Sequence, residues 1–120
     1  MSEIKLGAIE SRFADIIWQN EPITTAELVT LCEKELNWKR TTTYTVLKRL
    51  SERNLFKNNN GTVVSLISRK DFYSLQSERF VEETFDGSLP AFFAAFTSRK
   101  KLTAKELADI RQMIDSYGEE

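Results

Sequence analysis

Residues 38–50 carry two chemically different faces when the segment is drawn as an α-helix, with about 100° between successive side chains. The apolar stripe that can anchor such a helix in a small core consists of Thr43, Val46, Leu47 and Leu50. Polar groups lie opposite it, from Thr41, Tyr44, Thr45 and Lys48, with Arg40 and Arg49 on the flanks. Hydroxyl, phenol and cationic groups are those that contact base edges and phosphates. The segment therefore predicts a DNA-recognition helix.

Two further helices are expected before this one. An apolar stripe with helical spacing runs between residues 6 and 19 and is formed by Ile9, Phe13, Ile16 and Ile17. Pro22 should end that helix. Thr24 and Glu27 have the spacing of a capping box and open a second helix, whose inner side is Leu28, Leu31, Cys32 and Leu36. The recognition helix then covers roughly residues 40–53, with Asn54 as its C-cap.

A β-hairpin should follow, because residues 55–58 and 62–67 have strand character on either side of Asn59-Asn60-Gly61. Asn-Gly is a strong hairpin signal, since both residues tolerate positive φ. Three helices followed by a hairpin are the elements of a winged helix-turn-helix, in which the hairpin is the wing. The expected fold is mainly α, with a C-terminal helical tail.

The pattern is helical again from Arg69 onward, with a break at Gly87-Ser88, where Ser88 caps a new helix, and a second capping box at Thr103 and Glu106. We expect a winged-helix DNA-binding domain over residues 1–68 and a helical dimerisation region over residues 69–120. A short tail cannot bury its many aromatic side chains alone. The predicted dimer interface comprises Phe80, Phe85, Phe92, Phe93, Phe96, Ile110 and Ile114.

Composition restricts the function classes. The net charge is only −1, yet residues 37–60 carry six cationic side chains and only one anionic side chain, Glu52, which favours a local polyanion site.

One cysteine and no histidine exclude an internal disulfide and a Cys/His metal site, and Cys32 is expected to be a small buried hydrophobe. We expect no cofactor and no enzymatic activity. The sequence shows neither a signal-peptide pattern nor an apolar stretch long enough to cross a membrane, so we expect a soluble cytoplasmic protein.

The candidate sites divide into base contacts and phosphate contacts. Thr41, Tyr44 and Thr45 are the candidate base-reading residues. Tyr44 offers an apolar contact to a thymine methyl and a hydroxyl to a base or phosphate. Threonine is a mediocre helix former, so its abundance here works against helix propensity and indicates a functional surface. Candidate phosphate contacts are Lys39, Arg40, Lys48, Arg49, Thr24, Thr25, Asn60 and Thr62. Capping explains Thr24 and Thr25 about as well, and turn chemistry alone explains Asn60. The alternatives are a winged-helix module that binds an acidic protein, or a small-ligand sensor that uses the aromatic tail.

Four short motifs carry a resemblance to a known family. They are Ile16-Ile17-Trp18, the segment from Trp38 to Arg49-Leu50, Phe85-Asp86-Gly87-Ser88, and the closing segment from Leu102 to Leu107. In this order the chain resembles the penicillinase/methicillinase repressors, winged-helix repressors of bacterial resistance operons with a copper-responsive branch. The resemblance implies a homodimer joined by the C-terminal helices that binds a palindromic operator. It also implies that Thr42 and Thr45 occupy the family's recognition positions, so Thr42 joins the base-reading set.

The chain departs from the family at the positions that concern DNA sequence and regulation. Tyr44 replaces a residue that is often polar or basic in the family, so the operator sequence of the family cannot be assumed for this chain. The β-lactam branch is cut between Asn and Phe, where this chain has Ala95-Phe96, so the resemblance does not carry proteolytic release over. The copper branch ends in paired cysteines, which this chain lacks.

Overall fold

A computed structural model describes residues 6–118, so the ends of the two expected regions, residues 1–5 and 119–120, lie outside the described residues. The described chain is mainly helical, as predicted, with six α-helices and one three-stranded sheet. The helices are α1 (Ala8–Asn20), α2 (Thr25–Leu36), α3 (Arg40–Glu52), α4 (Arg69–Phe85), α5 (Leu89–Thr97) and α6 (Ala104–Tyr117). The strands are β1 (Ile23–Thr24), β2 (Phe56–Asn59) and β3 (Thr62–Ser65).

Helix α1 supplies one wall of the core and ends two residues before Pro22. All four residues of the predicted stripe lie on α1; Phe13, Ile16 and Ile17 are buried, whereas Ile9 is 49% exposed. Ile9 points to the same side as Phe13 but lies in the first turn of α1, ahead of the buried part of the helix.

Helix α2 begins at the predicted capping box. Thr24 Oγ1 accepts a hydrogen bond from the Glu27 amide at 3.1 Å, and Glu27 Oε1 accepts one from the Thr24 amide at 3.2 Å. Leu28 and Cys32 are buried, and Asn37 ends the helix with a left-handed φ of 58°. The two reciprocal bonds satisfy amides that would otherwise lack a partner at the start of the helix.

Helix α3 buries the predicted stripe completely: Thr43, Val46, Leu47 and Leu50 are its buried residues. Its C-cap is Arg53, one residue earlier than the predicted cap, Asn54, which follows with a left-handed φ of 65°. A left-handed asparagine after the last helical residue is a common way to stop a helix.

The wing is a hairpin of β2 and β3 joined by a two-residue turn. Asn60 and Gly61 have φ of 51° and 92°, and this positive pair matches the right-handed twist of the strands. The strand β1, which the sequence did not predict, pairs with β3 through Ile23 opposite Val63 and Thr24 opposite Thr62. The sheet therefore attaches the wing to the residues that open α2.

The chain divides into two compact units, Met1–Ser77 and Glu78–Glu120. The first turns of α4 belong to the core of the first unit, where Phe72 is fully buried. Trp18 contacts the Phe72 ring with centroids 5.7 Å apart and donates from Nε1 to the Ile67 carbonyl at 3.0 Å. The functional boundary expected at Ser68 stays a prediction.

The second unit contains the two capped helices predicted for the tail. Ser88 Oγ accepts from the Ala91 amide at 3.0 Å, and Thr103 and Glu106 form the expected capping box. Its aromatic rings form a cluster of mostly edge-to-face contacts between Phe80, Phe85, Phe92 and Phe96. Over residues 6–118, no helix is long and apolar enough to cross a membrane.

Candidate functional site

The outer face of α3 is open in the protomer. Thr41, Thr42, Thr45 and Lys48 are exposed, and Tyr44 is half-buried. Thr41, Tyr44, Thr45 and Lys48 lie opposite the buried stripe, and Thr42 lies on its flank, because successive helical side chains are about 100° apart. Val46 and Leu47 pack into the core while the polar face stays exposed. The side chains expected to read bases therefore form one continuous surface.

Arg40 and Tyr44 are in contact at the beginning of this face. Arg40 is the first residue of α3, and its Cζ lies 5.4 Å from the centroid of the Tyr44 ring, one helical turn further on. Lys39 is the N-cap residue, and its side chain makes no capping hydrogen bond. Lys39 therefore leaves its ammonium group exposed beside the helix N-terminus, where anions are favoured.

Arg49, at the other end of α3, is attached to α1. Its Nη1 lies 2.6 Å from Glu10 Oε2, and Arg53 Nη1 lies 3.9 Å from Glu10 Oε1. Burial would raise the pKa of Glu10, but the Gly7 amide and the two guanidinium groups outweigh burial and lower that pKa below its ordinary value. The Arg49 side chain remains 51% exposed, so it keeps donors that face solvent.

The start of α2 and the tip of the wing form a second polar surface. Thr24 is opposite Thr62 in the sheet, and the Thr25 amide donates to the Gly61 carbonyl at 2.9 Å. The Thr24 hydroxyl already accepts the capping bond, and the side chain of Asn60 is exposed at the turn. The structure thus brings together all four residues predicted for this region, which sequence alone could place only on separate elements.

A groove of about 470 Å³ separates α3 from the wing. Its lining consists of Tyr44, Leu47, Lys48, Ser51, Asn54, Phe56, Lys57, Asn58 and Leu66. Lys48 and Lys57 therefore line the same groove from opposite elements, and sequence reasoning did not assign Lys57 or Asn58 to the site. In β2 only Phe56 is buried and the three residues after it are exposed, so strand alternation gives no signal for Lys57.

In the described part of the chain, no group of three or more His, Cys, Asp or Glu side chains is placed to hold a metal ion. Cys32 is fully buried, as predicted, and burial raises the pKa of its thiol. A buried neutral thiol is a poor nucleophile, because the thiolate is the reactive form.

The second unit exposes an apolar surface. Phe80, Phe93, Phe96 and Ile114 are between 41% and 67% exposed, while Phe85, Phe92 and Ile110 are partly buried. Met113 and Tyr117 are exposed on the same last helix. Large apolar side chains grouped on a surface are typical of a protein contact.

Similarity to known proteins extends through both units. The family described as penicillinase repressor matches residues 6–116 of the chain. A penicillinase repressor of Bacillus licheniformis is 22% identical over 117 residues, which cover 94% of this chain and 91% of that protein.

Proposed function

This chain belongs to the penicillinase repressor family, and we propose that it is a homodimeric transcriptional repressor that binds a palindromic DNA operator. The observation that carries the proposal is the outer face of α3, which presents Thr41, Tyr44, Thr45 and Lys48 away from the core. A recognition helix must offer polar side chains to base edges while its apolar stripe holds it on the domain.

Roles follow from position on this surface. Thr41, Thr42, Tyr44 and Thr45 read base edges in the major groove, because they occupy the exposed face of the helix. Phosphate contacts come from Lys39 at the N-cap of α3, from Arg40, Lys48 and Arg49 on α3, and from Thr24, Thr25, Asn60 and Thr62 at the start of α2 and the wing tip. Lys57 joins this set because it lines the groove that also contains Lys48. These contacts fix the register of the protein on the duplex.

Dimerisation follows from the apolar surface of the second unit. The seven predicted interface residues all lie in this unit, and four of them keep more than 40% of their surface exposed. A second copy is the simplest occupant, because a two-fold interface pairs identical patches. Two recognition helices related by a two-fold axis would contact half-sites one helical turn, or a small multiple, apart.

Selection from a random duplex library, followed by titration of the selected duplex and a scrambled one, tests this function. We expect the selected duplex to contain an inverted repeat and to bind roughly 10³-fold or more tightly than the scrambled duplex at physiological salt. Tyr44→Ala should weaken binding to the selected duplex far more than to the scrambled one. Absence of binding to any duplex at low salt would refute DNA binding.

A further inference from the structure

Two exposed arginines of α3 are held in different ways. Arg49 forms a 2.6 Å ion pair with Glu10, whereas Arg40 lies over the Tyr44 ring at 5.4 Å. Among residues 6–118, no carboxylate lies within 4 Å of Arg40. Arg49 is therefore partly neutralised by its own chain, while Arg40 keeps its charge and its donors for a ligand.

The position of Arg40 at the beginning of α3 favours a contact with a base over a contact with a phosphate. It is the first residue of α3, and the residues at the beginning of a recognition helix are those that reach base edges. Its guanidinium lies over Tyr44, which is four residues further along, on the face where Thr41, Thr45 and Lys48 are exposed. Lys39 remains at the helix N-terminus as the phosphate contact.

We infer that Arg40 and Tyr44 act as one reading unit that recognises a guanine next to a thymine in each half-site. This inference rests on the proposed DNA-binding function and changes the role of Arg40 from phosphate contact to base contact. The guanidinium donates two N–H bonds to guanine O6 and N7, the commonest specific contact in the major groove. The Tyr44 ring beside it offers an apolar surface to the C5-methyl group of the neighbouring thymine.

Stacking explains why the two residues act together. A long arginine side chain loses rotamer freedom when it binds a base, and an aromatic face that already restrains the guanidinium lowers that loss. Tyr44 should therefore affect the guanine preference as well as its own thymine contact. A lysine at position 40 would keep the charge but lack the two-donor fork that matches guanine.

The test is selection of random duplexes by the full chain and four variants: Arg40→Ala, Arg40→Lys, Tyr44→Phe and Tyr44→Leu. The wild-type protein should select a guanine adjacent to a thymine at one step of each half-site. Arg40→Ala should lower the preference for that guanine roughly 5- to 150-fold. Arg40→Lys should also lower it, but less, because its ammonium lacks the rigid two-donor fork. Tyr44→Phe should keep it, whereas Tyr44→Leu should weaken both the guanine and the thymine preference.

Arg49→Ala is the matched control, because it removes the same side chain from the same helix. It should weaken binding to all duplexes about equally and leave the base preferences unchanged. The inference is overturned if Arg40→Ala behaves in this way too, or if the selected half-site has no guanine next to a thymine. A wild-type protein that selects no motif at all would instead refute the proposed function, and this inference with it. Circular dichroism of each variant checks that it is folded.

Discussion

Glu10 of α1 holds Arg49 of α3, with 2.6 Å between Oε2 and Nη1 across 39 residues of sequence. The same carboxylate accepts a hydrogen bond from the Gly7 amide at 3.2 Å. One side chain thus caps the first helix and restrains the end of the recognition helix. The lowered pKa of Glu10 shows that its charged form is favoured by these partners.

Glu10→Gln should lower the free energy of unfolding by roughly 0.5–1 kcal/mol at neutral pH, because half-exposed ion pairs contribute little. Since the folded-state pKa is depressed, this contribution is complete above the ordinary pKa of 4.5 and is lost as the pH falls below it. Urea unfolding at pH 7 and pH 3 measures the difference from wild type, which should shrink at the lower pH.

Glu52→Gln is the control for this pH effect, because it removes an equal charge from the exposed end of α3. It should not reproduce the pH-dependent loss. A wild-type advantage over Glu10→Gln that stays constant between pH 7 and pH 3 would contradict the ion-pair explanation.

Lys48→Ala and Lys57→Ala should each lower the slope of log K against log salt by about 0.9, because each lysine neutralises about one phosphate. Both side chains line the groove between α3 and the wing. Fluorescence anisotropy of a labelled duplex between about 50 and 200 mM salt gives the slopes, since a protein with several phosphate contacts loses roughly 10³-fold or more in affinity over this range. Lys105→Ala serves as control, since this lysine of the second unit pairs with Asp109 at 2.9 Å. An unchanged slope for Lys57→Ala would remove the wing lysine from the phosphate set.

Local chemistry made much of this fold predictable. The faces of α3 follow from helical periodicity, the capping boxes at Thr24 and Thr103 from hydroxyl and carboxylate spacing, and the hairpin from Asn60-Gly61. Such features depend on residues within a few positions of each other, so a single sequence contains them.

Long-range features were not predictable in the same way. Strand β1 has only two residues, too few for an alternating pattern, and it exists because β3 is present to pair with it. Lys57 enters the site only because the sheet brings β2 beside α3. The exposure of Ile9 depends on how far the core extends along α1. Each of these depends on tertiary packing, which overrides local pattern.

Phe72→Ala should destabilise the first unit by about 3–5 kcal/mol, because it removes a fully buried ring that contacts Trp18 and Tyr73. Thermal or urea unfolding followed by tryptophan fluorescence reports on the first unit, because Trp18 and Trp38 both pack against its core. Leu75→Ala is the control, because Leu75 lies in the same helix but is 44% exposed. It should lower the free energy of unfolding by no more than about 1 kcal/mol. Equal losses for the two variants would mean that the start of α4 does not stabilise the first unit.

Ile114→Asp should abolish self-association while leaving the protomer folded, because Ile114 is 67% exposed on α6 and its loss opens no cavity. An aspartate in an apolar interface would lose water without gaining a partner, and this weakens a dimer on the order of 100-fold or more. Sedimentation velocity over a concentration series measures the dissociation constant of each protein.

Gln112→Asp is the matched control, since it adds the same carboxylate to the same helix about 160° away from Ile114. It should associate like the wild type. If the proposed interface is right, Ile114→Asp should also bind the full inverted repeat no more tightly than a single half-site, because only a dimer gains from the second half-site. A dimer that persists in Ile114→Asp would place the interface on another face, whereas a wild-type protein that remains monomeric at high concentration would contradict the homodimer itself.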